Sequence, residues 1–158
     1  MNPYSRWIEG KDAMKVVAET AGRVRELCAR IGTEGMSQPW APGKWTIRQI
    51  VSHLAQCEMI FGSRFRQAVT PDDYVVQLFD QDQLMAREPV PDDDQALDAF
   101  CAMREWNLTF WRSLNEEDWA RRMKHPERGE VTVRELLETM AGHDLNHLEQ
   151  LVSASAGR

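Results

Sequence analysis

VTVRELLETMAGHDLNHLEQLVS, residues 131–153, sets two histidines four positions apart inside one strongly signalled helix. On an α-helix a step of four turns the side chain by only about 40° and lifts it about 6 Å, so His143 and His147 leave the same face. Thr132 and Glu135 form a T-x-x-E capping box at the start of this helix, and Val131 and Leu136 stand where a hydrophobic staple closes over it. Leu136, Leu137, Met140, Leu148 and Leu151 recur at helical spacing and give it a face to bury. Gln150 follows His147 by three and His143 by seven and shares their stripe. Neutral imidazole is the commonest metal-binding side chain, and a pair at i and i+4 can chelate one ion without bending the backbone. A third ligand must then come from another element. The competing reading is an incidental H-x-x-x-H pair on a soluble helix.

A second helix with a closely similar start runs through TIRQIVSHLAQCEMIFGSRFRQAV, with Thr46 and Gln49 as capping box and Trp45 and Ile50 as staple. His53 projects from it between Ile50 and Cys57, on the apolar side rather than among Arg48, Arg64 and Arg66. Alone it reads as a hydrogen-bonded core histidine; beside a chelating pair in need of a third partner it reads as a ligand. Glu58 lies on a stripe with Leu54, Phe61 and Phe65, where an acid requires a partner. It is either a proton-transfer group near a metal or one half of a buried ion pair. Cys57, one turn after His53, is a neighbour of the site as a fourth ligand, a reactive thiol or a buried free cysteine.

The remaining chain supplies two more amphipathic helices. Met14, Val17, Ala21, Val24, Leu27 and Ile31 step by three or four from Lys11 to Ile31, and Gly32 ends that helix. Asp92, Asp93 and Asp94 open another, with Leu97, Phe100, Met103, Phe110, Trp111 and Leu114 as its buried surface and Asn115 to Asp118 closing it. Residues 1–10 read as a leading segment whose aromatic side chains pack on the domain. Residues 70–91 form an unusually long connection between helices 2 and 3, which covers a site mouth or joins distant helix ends. Residues 119–130 read as a turn containing Pro126 and Gly129; His125 sits there as an exposed histidine with no metal role. Four apolar stripes are buried most simply in an all-α four-helix bundle, which places metal sites between facing helices.

The composition narrows the partners. A net charge of −6 with no Lys/Arg cluster argues against nucleic acid, whose phosphate backbone is bound by clustered cations. No apolar run reaches the roughly 18 residues that span a bilayer, so no membrane role is expected. Three widely spaced cysteines without a C-x-x-C read as free thiols in a reducing, cytoplasmic compartment. The 158 residues are expected to form one domain.

PGKWTIRQIVSHLAQCE, followed about ninety residues later by GEVTVRELLETMAGHDLNHLEQL, resembles the DinB-like (damage-inducible) superfamily of four-helix-bundle metal proteins. The resemblance covers residues 1–158 as a single DinB-like helical bundle domain. It implies that Pro42, Lys44, Trp45 and Thr46 match the P-x-K-W-[ST] motif, and that His53, His143 and His147 bind a divalent ion, zinc or nickel. It also implies a homodimer. Relatives of this kind include thiol S-transferases and isomerases that use low-molecular-weight thiols, and metal-dependent hydrolases.

Three functions are therefore expected to compete. In a thiol S-transferase-like enzyme a three-histidine metal activates a small thiol; in a metal-dependent hydrolase it activates water. Glu58 and Asp144 are the candidate catalytic proton acceptors, and Gln150 and Cys57 the candidate groups behind the ligands. Asp144 has a plainer reading too, since the residue after a ligand turns about 100° away and can face solvent. The third function is a non-catalytic, metal-stabilised dimeric module for stress response or binding. Six tryptophans, at 7, 40, 45, 106, 111 and 119, are available to line a pocket or fill the core.

Overall fold

The computed structural model describes residues 2–70, 72–92 and 94–156; the expected role of Asp93 in opening a helix lies outside them. The elements are α1 (Ser5–Ile8), α2 (Ala13–Met36), α3 (Ile47–Ala68), α4 (Gln81–Arg87), α5 (Gln95–Ser113), α6 (Glu116–Ala120), β1 (Arg122–His125), β2 (Gly129–Thr132) and α7 (Val133–Ala156). Four long helices make the all-α bundle. Their packing is not the order of the chain: α7 lies against α2 and also against α3, α5 lies against α3 and α2, and α2 barely meets α3. The consecutive helices α2 and α3 thus stand across a diagonal. The last helix fills the position between them, which brings its histidine face to His53.

Both capping boxes form. The Thr46 hydroxyl accepts from Gln49 N–H while Gln49 Oε1 accepts from Thr46 N–H at 2.8 Å. Thr132 Oγ1 accepts from Glu135 N–H at 3.1 Å, and Glu135 returns the bond to Thr132 N–H at 2.7 Å. These bonds satisfy amide donors that a first helical turn otherwise leaves open.

Elsewhere the structure corrects the sequence reading in detail. Gly32, at φ 72° and ψ 167°, interrupts α2, but the helix does not end there: one further turn follows to Met36. Asn115 to Asp118 do not close α5: Asn115 caps the separate helix α6 through its own capping box. Residues 122–132 are an antiparallel hairpin rather than a simple turn, with Met123 opposite Val131 and both buried in the core. The long connection adds a pairing to that hairpin, Val76 N–H donating to Lys124 O at 2.8 Å and Lys124 N–H to Tyr74 O at 3.0 Å. Arg64, expected on a polar side, is buried, and its guanidinium donates to Gln77 O in the same connection. No helix among the described residues is long and apolar enough to cross a membrane.

The core divides into two apolar clusters. One holds Val17, Phe61, Phe65, Leu108, Trp111, Val133, Leu136 and Met140; the other holds Val24, Ile47, Ile50, Leu54, Leu97, Phe100, Leu148 and Leu151. Between them every long helix contributes buried polar residues: Thr20 from α2, His53 and Glu58 from α3, Arg104 and Asn107 from α5, and His143, Asp144 and His147 from α7. A polar belt across a bundle costs stability unless its groups satisfy one another.

The segment before α2 closes one side of this belt. α1 packs on α7, and Tyr4 passes directly over Gly142. A Cβ at position 142 would stand 2.6 Å from Tyr4 Cβ and 2.7 Å from Tyr4 O. Gly142→Ala is therefore expected to push residues 2–8 off α7 at a cost of about 1–3 kcal/mol, the usual range for overpacking. Thermal denaturation with proteolysis of the N-terminal segment measures this. An unchanged melting temperature and cleavage pattern would show that Tyr4 yields freely.

Candidate metal centre

His53 on α3 and the His143/His147 pair on α7 meet in the polar belt. His143 Nε2 lies 2.9 Å from His53 Nε2 and 3.1 Å from His147 Nε2. The three ring centroids are 4.4 to 5.1 Å apart in all pairings. Two nitrogens each bound about 2.0–2.1 Å from one ion lie roughly 3.0 Å apart at a right angle and 3.4 Å apart at the tetrahedral angle. The observed separations match two ligands sharing an ion. The structure places the buried His53 and His147 rings on either side of the buried His143 ring; the group whose donor atoms all lie within 4.8 Å of one another is His53, Cys57 and His143, without His147.

The donor chemistry agrees with the geometry. Gln150 Oε1 lies 2.8 Å from His147 Nδ1, and because an amide oxygen only accepts, the proton sits on Nδ1 and Nε2 keeps its lone pair. Burial pushes the His53 imidazole down to about 3, with His147 adding to the effect. Burial, then His147, His53 and Arg104, hold His143 well below the ordinary range. Burial also lowers His147, against the opposing hydrogen bond to Gln150. The neutral imidazole is the ligating form of histidine, and burial favours it at all three rings.

Cys57 lies closer to this centre than a neighbouring core residue would. Its Sγ is 3.6 Å from His53 Nε2, 3.9 Å from His53 Nδ1 and 3.9 Å from His143 Nε2. His53, Cys57 and His143 each offer a donor atom, all within 4.8 Å of one another.

Glu58 and Asp144 are neither free nor solvent-facing. Both are buried on Arg104, which sequence reasoning missed. Arg104 Nε donates to Glu58 Oε1 at 2.7 Å and Nη2 donates to the same oxygen. Its Nη1 donates to Val17 O at 2.7 Å and lies 2.8 Å from Asp144 Oδ2, an ion contact outside hydrogen-bond alignment. Asn107 donates to Glu58 Oε2 at 2.9 Å and accepts from Arg66 at 2.8 Å. Burial works against the Arg104 charge, but Asp144 and Glu58 outweigh it and hold the guanidinium protonated. Burial likewise raises the Glu58 carboxyl, with Arg104 opposing. The signal for Arg104 was available: it stands four residues from both Phe100 and Leu108 and seven from Leu97 and Trp111, a charge on an apolar stripe like Glu58.

A cavity of about 280 Å³ opens beside the histidines, lined by Tyr4, Trp40, Trp45, Gln81, Asn146, His147 and Gln150 among others. Trp40 and Trp45 are held there by the loop before α3, where Trp40 N–H donates to Trp45 O at 3.1 Å. Trp45 meets His53 edge-on at 5.1 Å between centroids, and Tyr4 meets His143 edge-on at 5.4 Å. Gln81 comes from the long connection, which does reach the mouth of the site. Tyr4 is the second residue that sequence reasoning missed. Burial raises its phenol above the ordinary range. His125 plays no part here; it sits in β1 and its Nδ1 accepts from Glu127 N–H.

A bundle that buries three neighbouring imidazoles and opens an aromatic-walled cavity beside them has a donor set that could hold a divalent metal ion. The profile of the DinB superfamily matches residues 17–151, and the chain belongs to that superfamily. Two proteins of Oceanobacillus iheyensis, both named "Putative metal-dependent hydrolase", are 25% identical to it over 127 and 142 residues. Those alignments cover 78% and 87% of this chain and 72% and 80% of the relatives. Among solved structures, YfiT from Bacillus subtilis is described as a probable metal-dependent hydrolase with an unusual four-helix bundle topology. It matches with a TM-score of 0.83 at 19% identity, covering 92% of this chain and 85% of YfiT, which shows a shared fold.

Proposed function

We propose that the protein is a divalent-metal-dependent hydrolase whose ion is held by His53, His143 and His147. The observation that carries this reading is the pair of Nε2 separations, 2.9 and 3.1 Å, at neutral buried rings. A divalent ion bound there supplies Lewis acidity, lowering the pKa of a water or thiol beside it. The relatives' names support water as the group activated.

The protein's own residues do the rest. Gln150 fixes the His147 tautomer, and Trp40 and Trp45 give a small organic substrate an apolar wall beside the ion. Tyr4, Gln81 and Asn146 offer hydrogen bonds to its polar groups. Glu58 and Asp144 act through Arg104 as positioning charges, since the same guanidinium engages both carboxylates.

A second reading, thiol S-transfer, is favoured by one observation: among the described residues, no carboxylate lines the cavity. A thiol releases its proton more readily than water and depends less on a nearby base. Metal-stripped protein reloaded with zinc or nickel separates the readings. Turnover of activated esters or amides supports the hydrolase, and conjugation of a small thiol to an electrophile supports the transferase. A fully loaded protein inactive in both assays would leave the metal a structural role.

The same loading should stabilise the fold. A hundredfold excess of ion over its dissociation constant adds about 2.7 kcal/mol, or roughly 5–11 °C in melting temperature for a chain of this size. His143→Ala should show no such shift.

A further inference from the structure

We infer that Cys57 is a thiolate ligand of the same ion, so that α3 contributes a chelating H-x-x-x-C pair facing the H-x-x-x-H pair of α7. This rests on the three-histidine reading and adds a donor to it. Residues 53 and 57 stand at i and i+4, the relation that 143 and 147 have on the opposite helix.

The distances suit sulfur as a ligand. An ion about 2.05 Å from a nitrogen and 2.3 Å from a sulfur separates the two by roughly 3.6 Å at the tetrahedral angle and 3.9 Å when the angle opens to about 127°. Cys57 Sγ stands 3.6 Å from His53 Nε2 and 3.9 Å from His143 Nε2. A core cysteine placed only for packing has no reason to hold both separations from nitrogens that are themselves 2.9 Å apart.

The thiol is buried, and its sulfur makes polar contacts with the His53 and His143 imidazoles. Binding breaks the S–H bond, forms the sulfur–metal bond and releases one proton to solvent.

This donor decides what the three imidazoles leave open. Imidazole accommodates zinc, nickel, copper and iron alike, whereas thiolate turns the preference toward soft and borderline ions and away from magnesium and manganese. The site is accordingly a zinc-class centre. Four protein donors fill a tetrahedral shell, so water or substrate would enter as a fifth ligand from the cavity side, which the sulfur does not line.

Cobalt(II) substitution of the full chain tests the inference. Metal-stripped wild type titrated with cobalt(II) is expected to develop a sulfur-to-cobalt charge-transfer band in the near ultraviolet together with ligand-field bands in the visible. The charge-transfer band should vanish in Cys57→Ser. It should persist in a variant carrying Cys28→Ser and Cys101→Ser, which keeps Cys57 as the one cysteine of the chain. That second variant keeps the test valid if Cys57→Ser fails to fold. Zinc affinity of Cys57→Ser should fall by at least the roughly tenfold that loss of even an outer partner costs, with manganese affinity unchanged.

Ligand-field bands without charge transfer in wild type, abolished by His143→Ala, would overturn the cysteine ligand and leave the histidine site standing. Absence of all cobalt bands would overturn both.

Discussion

His143→Ala should leave the purified protein with background metal, where wild type carries one ion per chain. His143 is the ring the others share: the Nε2 atoms of His53 and His147 lie 2.9 and 3.1 Å from its own. Removing it takes away a direct ligand and the geometric centre, so affinity should fall beyond the roughly 10–100-fold that loss of an outer partner costs. His125→Ala is the matched control, because that ring lies in the hairpin. Elemental analysis of protein never exposed to chelator, with circular dichroism to confirm folding, reads the outcome. Equal metal content in wild type and His143→Ala would mean the ion, if any, binds elsewhere.

The largest stability effect should come from Arg104. Its guanidinium is fully buried between two buried carboxylates, and Arg104→Met would strand both. Breaking a buried ion cluster from one side costs about 3–5 kcal/mol, roughly 6–20 °C in melting temperature at this chain length. Neutralising the partners as well, with Glu58→Gln and Asp144→Asn in the same chain, should recover part of the loss, since the stranded charges rather than the missing bonds dominate it. Urea unfolding of the single and combined variants measures the coupling. A loss under about 1 kcal/mol for Arg104→Met would show that water reaches the carboxylates and that the belt is not dry.

The two stability devices were unequally visible in the sequence. Capping boxes are local, three residues long, and both were read correctly at Thr46 and Thr132. The hairpin was missed because each four-residue strand sends one apolar residue inward, Met123 and Val131, too few to show a period of two. Helix α6 was passed over although Asn115 and Asp118 carry a capping signal, because a five-residue helix has too little apolar face to read. Arg104 was missed for a different reason. A lone arginine on a helix reads as solvated until its two acids, 46 residues before it and 40 after, are brought to it.

By itself the sequence determined which residues could ligate and which faces would be buried, since side-chain chemistry and helical periodicity are properties of short stretches. It therefore settled the bundle, the histidine pair and the candidacy of His53. Only the tertiary structure decided the rest: that α7 packs between α2 and α3, that Glu58 and Asp144 share Arg104, and that Cys57 sits at ligand distance from two imidazoles. Those facts depend on how helices dozens of residues apart are ordered around one axis. That order is chosen by the packing of the whole core, a sum over contacts that no local stretch encodes.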